Sequence, residues 1–255
     1  MSIAAATVAL LPLLLFASTS PTPAITASGG GGGGWDNAHA TFYGDKGGEG
    51  ACGYDDVFKQ GYGFETTALS VALFAGGWSC GGCYEIHCKG STACRRGATV
   101  TVTATNLCPA NYSKPYENWC NPPLKHFDLS KRMFLNLITD YRVGIIPVTF
   151  RRVACAGKSG GVRFEMKGNQ WWVTVLVFNV GGAGDVRAMA VRGSRDGRWL
   201  DMSRNWGMIW NGDVRMEGQG LSFRVATGDG RAIVFDGVVP PTWMVGQTFQ
   251  GNRQF

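Results

Sequence analysis

The placement of cysteine constrains this chain more than any other feature. All eight cysteines fall between Cys52 and Cys155, and the rest of the chain has none. An even set of cysteines in an exported chain is paired as disulfides. The two parts of the sequence therefore obey different stability rules, one stapled and one held by its apolar core alone. That pattern predicts two domains, and 255 residues suffice for two cores. The boundary falls in AGKSGG, Ala156 to Gly161, and so short a join predicts domains that touch rather than swing freely. Cys80-Gly-Gly-Cys83, with Cys88 and Cys94 after it, also has the look of a zinc cluster. An oxidising compartment favours bridges over thiolate ligands, and no thioredoxin-like βαβ pattern surrounds the Cys80/Cys83 pair.

The N-terminus supplies the argument for export. AAATVALLPLLLFA is an apolar core, and the small residues of ASTSPTPAITA follow it, although the usual leading Lys or Arg is missing. Residues 1–27 read as signal peptide and pro-region, and the mature chain is expected to start between Thr19 and Trp35. Ser28 to Gly34, SGGGGGG, reads as a flexible spacer. The apolar run is short for a membrane span, and no later segment is longer. Net charge is +6, with basic residues scattered singly or in pairs, so no nucleic-acid-binding stripe is present. A mild attraction to an acidic polymer such as pectin is the most this charge implies.

Glycine, at 38 residues, is about twice its usual share and points to many turns in an all-β chain. In the first half, Ala98 to Thr105 alternates as a half-buried strand, and Gly144 to Cys155 is a second strand region. Two short helices are expected. One covers Thr67 to Phe74; the other begins near Ser130 with Met133, Phe134, Leu137 and Ile138 on one face. After the boundary, WWVTVLVFNV, VRAMAVRG, LSFRVATG and RAIVFDGVV are strands separated by Gly- and Asp-rich turns, the pattern of a β-sandwich. In the first of these, Val173, Val175 and Val177 read as core, so Trp172 falls with Thr174 on the opposite face.

PLKHFDLS, Pro123 to Ser130, places Asp128 in an apolar setting just before the second helix. Asp128 there reads as a general acid with a raised pKa, as an acceptor that grips a sugar, or as a helix cap, a role Ser130 can also take. The histidines His39, His87 and His126 show no metal-ligand spacing; structural roles are expected, though His126 stands close enough to tune Asp128. Asn111-Tyr112-Ser113 is a glycosylation sequon in an expected surface loop.

HATFYG, GACGYD, GGWSCGGCYEIHC, TNLCPANY, WCNPPLKHFDLS, NVGGAGDV, MSRNWG and SFRVATGDGR occur in order along nearly all the sequence after Trp35. Together they resemble an α-expansin of plants. The resemblance implies a six-stranded double-psi β-barrel over residues 35–157, related to family-45 endoglucanases. It implies an immunoglobulin-like, cellulose-binding β-sandwich over residues 162–255. It implies pairing of Cys52 with Cys80, Cys83 with Cys155, Cys88 with Cys94, and Cys108 with Cys120. Such proteins loosen plant cell walls under mildly acidic conditions without detectable hydrolysis. The expected partners are cellulose and matrix glucans such as xyloglucan; no cofactor or metal is expected, and the protein is expected to be a monomer.

The resemblance also bears on single residues. Asp128 matches the general acid of the related glucanases. Thr41, Tyr43 and Asn106 match polar positions of the glucan groove; Phe42, Trp172 and Trp206 match a line of aromatic residues across both domains, suited to stack on sugar rings. Trp199, Trp210 and Trp243 read as core or rim, and Trp171 as an aromatic position whose face looks buried. Inverting hydrolysis needs a second carboxylate to activate water, with the two groups about 6.5 to 9.5 Å apart. Expansins lack that base, but here the segment after TFYG is shortened and Asp45 follows Gly44 directly. Thr41-Phe42-Tyr43-Gly44-Asp45 has the glucanase spacing, so Asp45 is either a turn residue or a second carboxylate, which keeps a weak endoglucanase among the alternatives. A binding-only lectin is another.

Overall fold

The computed structural model describes residues 34–45, 48–116, 118–169 and 171–255. The expected signal peptide and most of the glycine spacer lie outside the described residues. Six strands close a barrel in the order β1-β5-β2-β4-β3-β6. They are β1 (Asp36–Tyr43), β2 (Thr66–Leu69), β3 (Cys83–Cys88), β4 (Thr99–Leu107), β5 (His126–Ser130) and β6 (Ile146–Val153). β1 runs parallel to β5 and β2 parallel to β4, while the remaining pairs are antiparallel. β4 shows why these residues choose strand. Its threonines and valines are β-branched, and alternation sends Val100, Val102 and Ala104 inward.

The helix expected over Thr67 to Phe74 is corrected here. Thr66–Leu69 is β2, and only Val71–Phe74 (α1) is helical. All four β2 residues are buried, and β2 pairs with β4 and β5, so tertiary pairing overrides a locally helical pattern. α2 (Lys131–Leu137) forms as expected and buries Met133, Phe134 and Leu137. Ile138 is buried too, but as the extended residue that ends the helix. Ser130 is the cap: its hydroxyl accepts from the Met133 amide at 3.4 Å. Asp128 sits inside β5 and caps nothing.

The remaining strands form one sheet in the order β13-β12-β9-β10-β11-β8-β7-β14. These are β7 (Arg163–Asn169), β8 (Trp172–Phe178), β9 (Val186–Gly193), β10 (Leu200–Trp206), β11 (Ile209–Gly212), β12 (Leu221–Thr227), β13 (Ala232–Val239) and β14 (Thr248–Gln250). The sheet folds on itself at β10, whose first residues pair with β9 and whose last pair with β11. Phe164 of one layer stacks on Phe223 of the other at 4.8 Å and meets Phe235 at 5.1 Å. The chain is thus all-β, a barrel followed by a sandwich.

Four disulfides join Cys52–Cys80, Cys83–Cys155, Cys88–Cys94 and Cys108–Cys120, so none of the eight cysteines is left as a thiolate for zinc. The Cys83–Cys155 link spans 72 residues and the Cys88–Cys94 link 6. On a chain-entropy estimate they contribute about 4 and about 2 kcal/mol.

Barrel and sandwich meet over specific contacts. The Met208 amide donates to Cys52 O at 2.9 Å, the Cys155 amide to Gly182 O at 2.7 Å, and the Asn179 amide to the Tyr62 hydroxyl at 3.2 Å. Gly207 has φ +50, and a Cβ there would strike the Cys52 carbonyl, so only glycine lets β10 turn back against the barrel. Lys167 bridges to Asp55 at 2.7 Å, and Arg152 to buried Asp185 at 2.9 Å.

Candidate functional site

The parallel pairing of β1 with β5 builds the site. It sets Thr41 opposite Asp128; β5 sets Asp128 opposite Ala68, and β2 sets Ala68 opposite Asn106. Cross-strand partners point to the same face, so Thr41, Asp128 and Asn106 form one row with only a methyl group between the last two. One step along, Tyr43 lies opposite Ser130, and its hydroxyl bonds Thr66 Oγ1 at 2.9 Å. Burial is the main cause raising the Tyr43 pKa.

Asp128 is half-buried, and its Oδ1 accepts from the Thr41 hydroxyl at 2.7 Å. Desolvation raises its pKa from the ordinary aspartate value, and the Thr41 bond pulls part of the way back. The proton is therefore held to a higher pH than on an ordinary aspartate. Two residues back on the same face, His126 is 1% exposed, and its Nε2 lies 2.8 Å from the same Thr41 oxygen. Burial, with a smaller contribution from His39, lowers the His126 pKa to about 4. His126 therefore holds its neutral form to a lower pH than an ordinary histidine.

Asn106 plays a narrower part than its position suggests. Its side-chain oxygen accepts from the Ala51 amide at 2.7 Å and the Leu107 amide at 2.8 Å. It clasps the segment leading to Cys52, on which Met208 docks, and so ties the barrel row to the strand that carries Trp206. Phe42 does not join the row. Alternation along β1 turns it away from Thr41 and Tyr43, and its ring packs on Phe134 of α2 at 4.8 Å. Its ring is partly buried there.

Asp45 accepts from the Arg132 amide at 3.1 Å, in the first turn of α2. A carboxylate is favourable there because helix N-termini expose unpaired amides and positive dipole.

The sandwich presents rings. Trp172 is 53% exposed and Trp206 48%. Register joins Trp206 to Ile209 and Ile209 to Leu176, and joins Asn211 to Thr174, two residues from Trp172. Both tryptophans thus share one face, with the Thr174–Asn211 hydrogen bond between them at 3.0 Å. Thr174, Leu176 and Phe178 of this face are buried as well, unlike a free sheet face, because the barrel covers its far end: Gly53 lies beside Ile209 and Leu176. Trp171 is corrected from buried to 53% exposed. It lies in the turn before β8, its amide bonded to Asn169 Oδ1 at 2.8 Å, so strand alternation does not reach it. Trp210 is core, while Trp199 and Trp243 are partly buried.

Trp78 went unnoticed in the sequence. Its ring lies under Arg204 at 3.9 Å and Arg187 at 5.4 Å, both from the sandwich, and its place in the Cys80 segment was the only available signal. Asn111 is exposed, with its side-chain oxygen accepting from the Ser113 hydroxyl at 2.6 Å. His39 packs on Trp119 and His87 on Trp35, each at 4.3 Å.

A family model described as the expansin C-terminal domain matches residues 162–240. A second, described as lytic transglycolase, matches residues 66–150. Expansin-A25 of Arabidopsis thaliana is 52% identical over 225 residues, which is 87% of this chain and 80% of that one. Expansin-A13 of Oryza sativa subsp. japonica is 49% identical over 231 residues, covering 87% of each. The structure of a Clavibacter michiganensis expansin mutant in complex with cellohexaose shares the fold, with a TM-score of 0.65, 20% identity and coverage of 86% of this chain and 97% of that one. Half the residues are shared with plant expansins along most of the sequence, over the same barrel and sandwich: the chain belongs to the expansin family.

Proposed function

We propose that this protein is secreted to the plant cell wall and loosens it by displacing non-covalent contacts between cellulose and matrix glucans, without hydrolysis. One glucan chain runs from the Thr41–Asp128–Asn106 row onto Trp172 and Trp206. The observation that carries the reading is the shared use of Cys52: Asn106 holds the segment before it, and Met208, two residues past Trp206, hydrogen bonds to it. A polar row and an aromatic face are thereby fixed side by side. The cellohexaose of the bacterial relative makes a β-1,4-glucan the ligand to test.

Absence of cutting follows from the carboxylates. Inversion needs a free base across the sugar from the acid. Asp45 has the sequence spacing, but its carboxylate is bonded to the start of α2. Asn106 cannot serve as a base at any ordinary pH. Acid activity is assigned to Asp128, whose burial makes it take up its proton at a higher pH than an ordinary aspartate. The net charge of +6 adds a weak attraction to pectin, and Asn111 carries a glycan.

The test is a heat-inactivated wall strip under constant load in mildly acidic buffer, with new reducing ends counted in strip and bath. Extension without new ends is expected. Ends in proportion to extension would make the protein a glucanase, and adsorption without extension would make it a lectin.

A further inference from the structure

The arrangement behind Asp128 carries a further step. Thr41 Oγ1 stands 2.7 Å from Asp128 Oδ1 and 2.8 Å from His126 Nε2. A hydroxyl has one proton to give, so it cannot donate to both. His126 Nδ1 is buried with no hydrogen-bond partner. A proton on Nδ1 would thus be a buried N–H without an acceptor, and Nε2 would then compete with Asp128 Oδ1 for the single Thr41 proton. A proton on Nε2 satisfies both contacts at once.

We infer that His126 is a positioning residue: its Nε2–H donates to Thr41 Oγ1, which commits the single Thr41 proton to Asp128 Oδ1 and leaves Oδ2 as the oxygen that takes up and releases the Asp128 proton. This rests on Asp128 as the glucan-facing acid. Among the described residues, no protein group is hydrogen-bonded to Oδ2. Uptake is balanced simply: Oδ2 gains a proton from solvent or a sugar hydroxyl and returns it there, while the His126–Thr41–Oδ1 chain keeps its direction. An acid so held presents its proton toward the ligand rather than into the barrel.

The surrounding groups are few. β1 brings His39 and Tyr43, followed by Asp45; Lys125, just before β5, is paired with Asp36. β2 brings no titratable side chain and β4 brings Asn106. α2 begins with Lys131 and Arg132, and the Arg132 guanidinium lies over the Phe64 ring at 3.7 Å.

The test is spectroscopic and uses the whole protein labelled with 15N-histidine and 13C-aspartate. The His126 nitrogen shifts report which nitrogen holds the proton. A single Nε2–H form at neutral and mildly acidic pH is expected; an Nδ1–H form, or a mixture, overturns the inference. The Asp128 carboxyl is then titrated in two variants. His126→Gln places an amide donor near Nε2 and keeps the wild-type midpoint. His126→Leu removes the donor, weakens the bond that favours the carboxylate, and raises the midpoint by about half a unit to one unit. Equal midpoints in the two variants overturn the inference. Should His126→Leu fail to fold, the wild-type nitrogen shifts decide alone. None of these readouts involves wall extension, so failure of the proposed function and failure of this inference are told apart.

Discussion

The barrel row and the open sandwich face solve the same problem by opposite means. The row consists of half-buried polar atoms with fixed partners: Thr41 on Asp128, Tyr43 on Thr66, Asn106 on two backbone amides. The face consists of tryptophan rings exposed by about half, with a Thr174–Asn211 pair between them. Hydrogen bonds are directional and lose their value with small displacements, whereas a ring tolerates sliding of an apolar sugar surface across it. The difference teaches a division of labour. In the proposed function, the face would hold a glucan without fixing its register, and the row would act at one point along it.

Removal of the Asp128 charge is the strongest way to break that division. Asp128→Asn keeps the shape, and its side-chain oxygen still accepts from Thr41, but it has no titrating proton. Wall extension is expected to be lost while adsorption to cellulose stays within about twofold, because the rings are untouched. Normal extension under load would remove Asp128 from the mechanism. A parallel loss of adsorption would merge the two regions into one.

Acid response sharpens the contrast next. All three histidines lie in the barrel part of the sequence, and none follows His126. The folded-state pKa of His126 is depressed from 6.5 to about 4. Its stabilising contribution is therefore complete above the unfolded value and is lost as pH falls toward the folded one, by about 3 kcal/mol over that window. Asp128 works in the opposite sense: with its pKa raised, its contribution is present at low pH and is lost as pH rises. Thermal melts across this range should show wild type losing stability toward acid, with a flatter profile in His126→Gln. An unchanged slope in that variant would mean that His126 is not the group responsible.

Affinity comes third. Each tryptophan ring is worth about 1 kcal/mol of stacking, so Trp172→Ala with Trp206→Ala should weaken cellulose adsorption by about thirtyfold. The two sites are exposed, so stability should hardly move. Trp171→Ala tests how far the face extends, since this ring lies under Arg215 at 4.4 Å in the turn before β8. A loss as large as that of Trp172 would carry the face around the hairpin.

Part of this comparison was legible in the sequence. Alternation found β4, β6, β8 and the core valines of the sandwich, and the cysteine distribution separated the stapled part from the free one. β2 was not legible, because TALSVALF suits a helix and only the barrel neighbours of Thr67 and Leu69 make it a strand. Much of β7 and β10, RFEMKGN and LDMSRNW, is polar because each strand has one exposed edge or face, so neither reads as a run. Asp128 could be singled out from its setting, and His126 from its nearness to Asp128 in the sequence. Their connection could not: Thr41 lies 85 residues from His126 and 87 from Asp128, and only the β1–β5 register joins them. Along β1, Thr41 and Tyr43 on one face turn Phe42 onto the other, toward Phe134.

Asp45 gives the smallest expected effect and the finest test of where the row ends. In Asp45→Asn the side-chain oxygen can still accept from the Arg132 amide, so stability should fall by only a few tenths of a kcal/mol, the share due to charge at a helix end. Asp45→Ala loses the bond as well and should cost about 1 kcal/mol, as removal of a helix cap does. Wall extension should be unchanged in both, and neither should alter the count of reducing ends. If instead Asp45→Asn abolished extension while melting at the wild-type temperature, the carboxylate would be acting on the glucan. The polar row would then run past Tyr43 to the first turn of α2, and the barrel would hold two carboxyl groups facing one sugar chain rather than one.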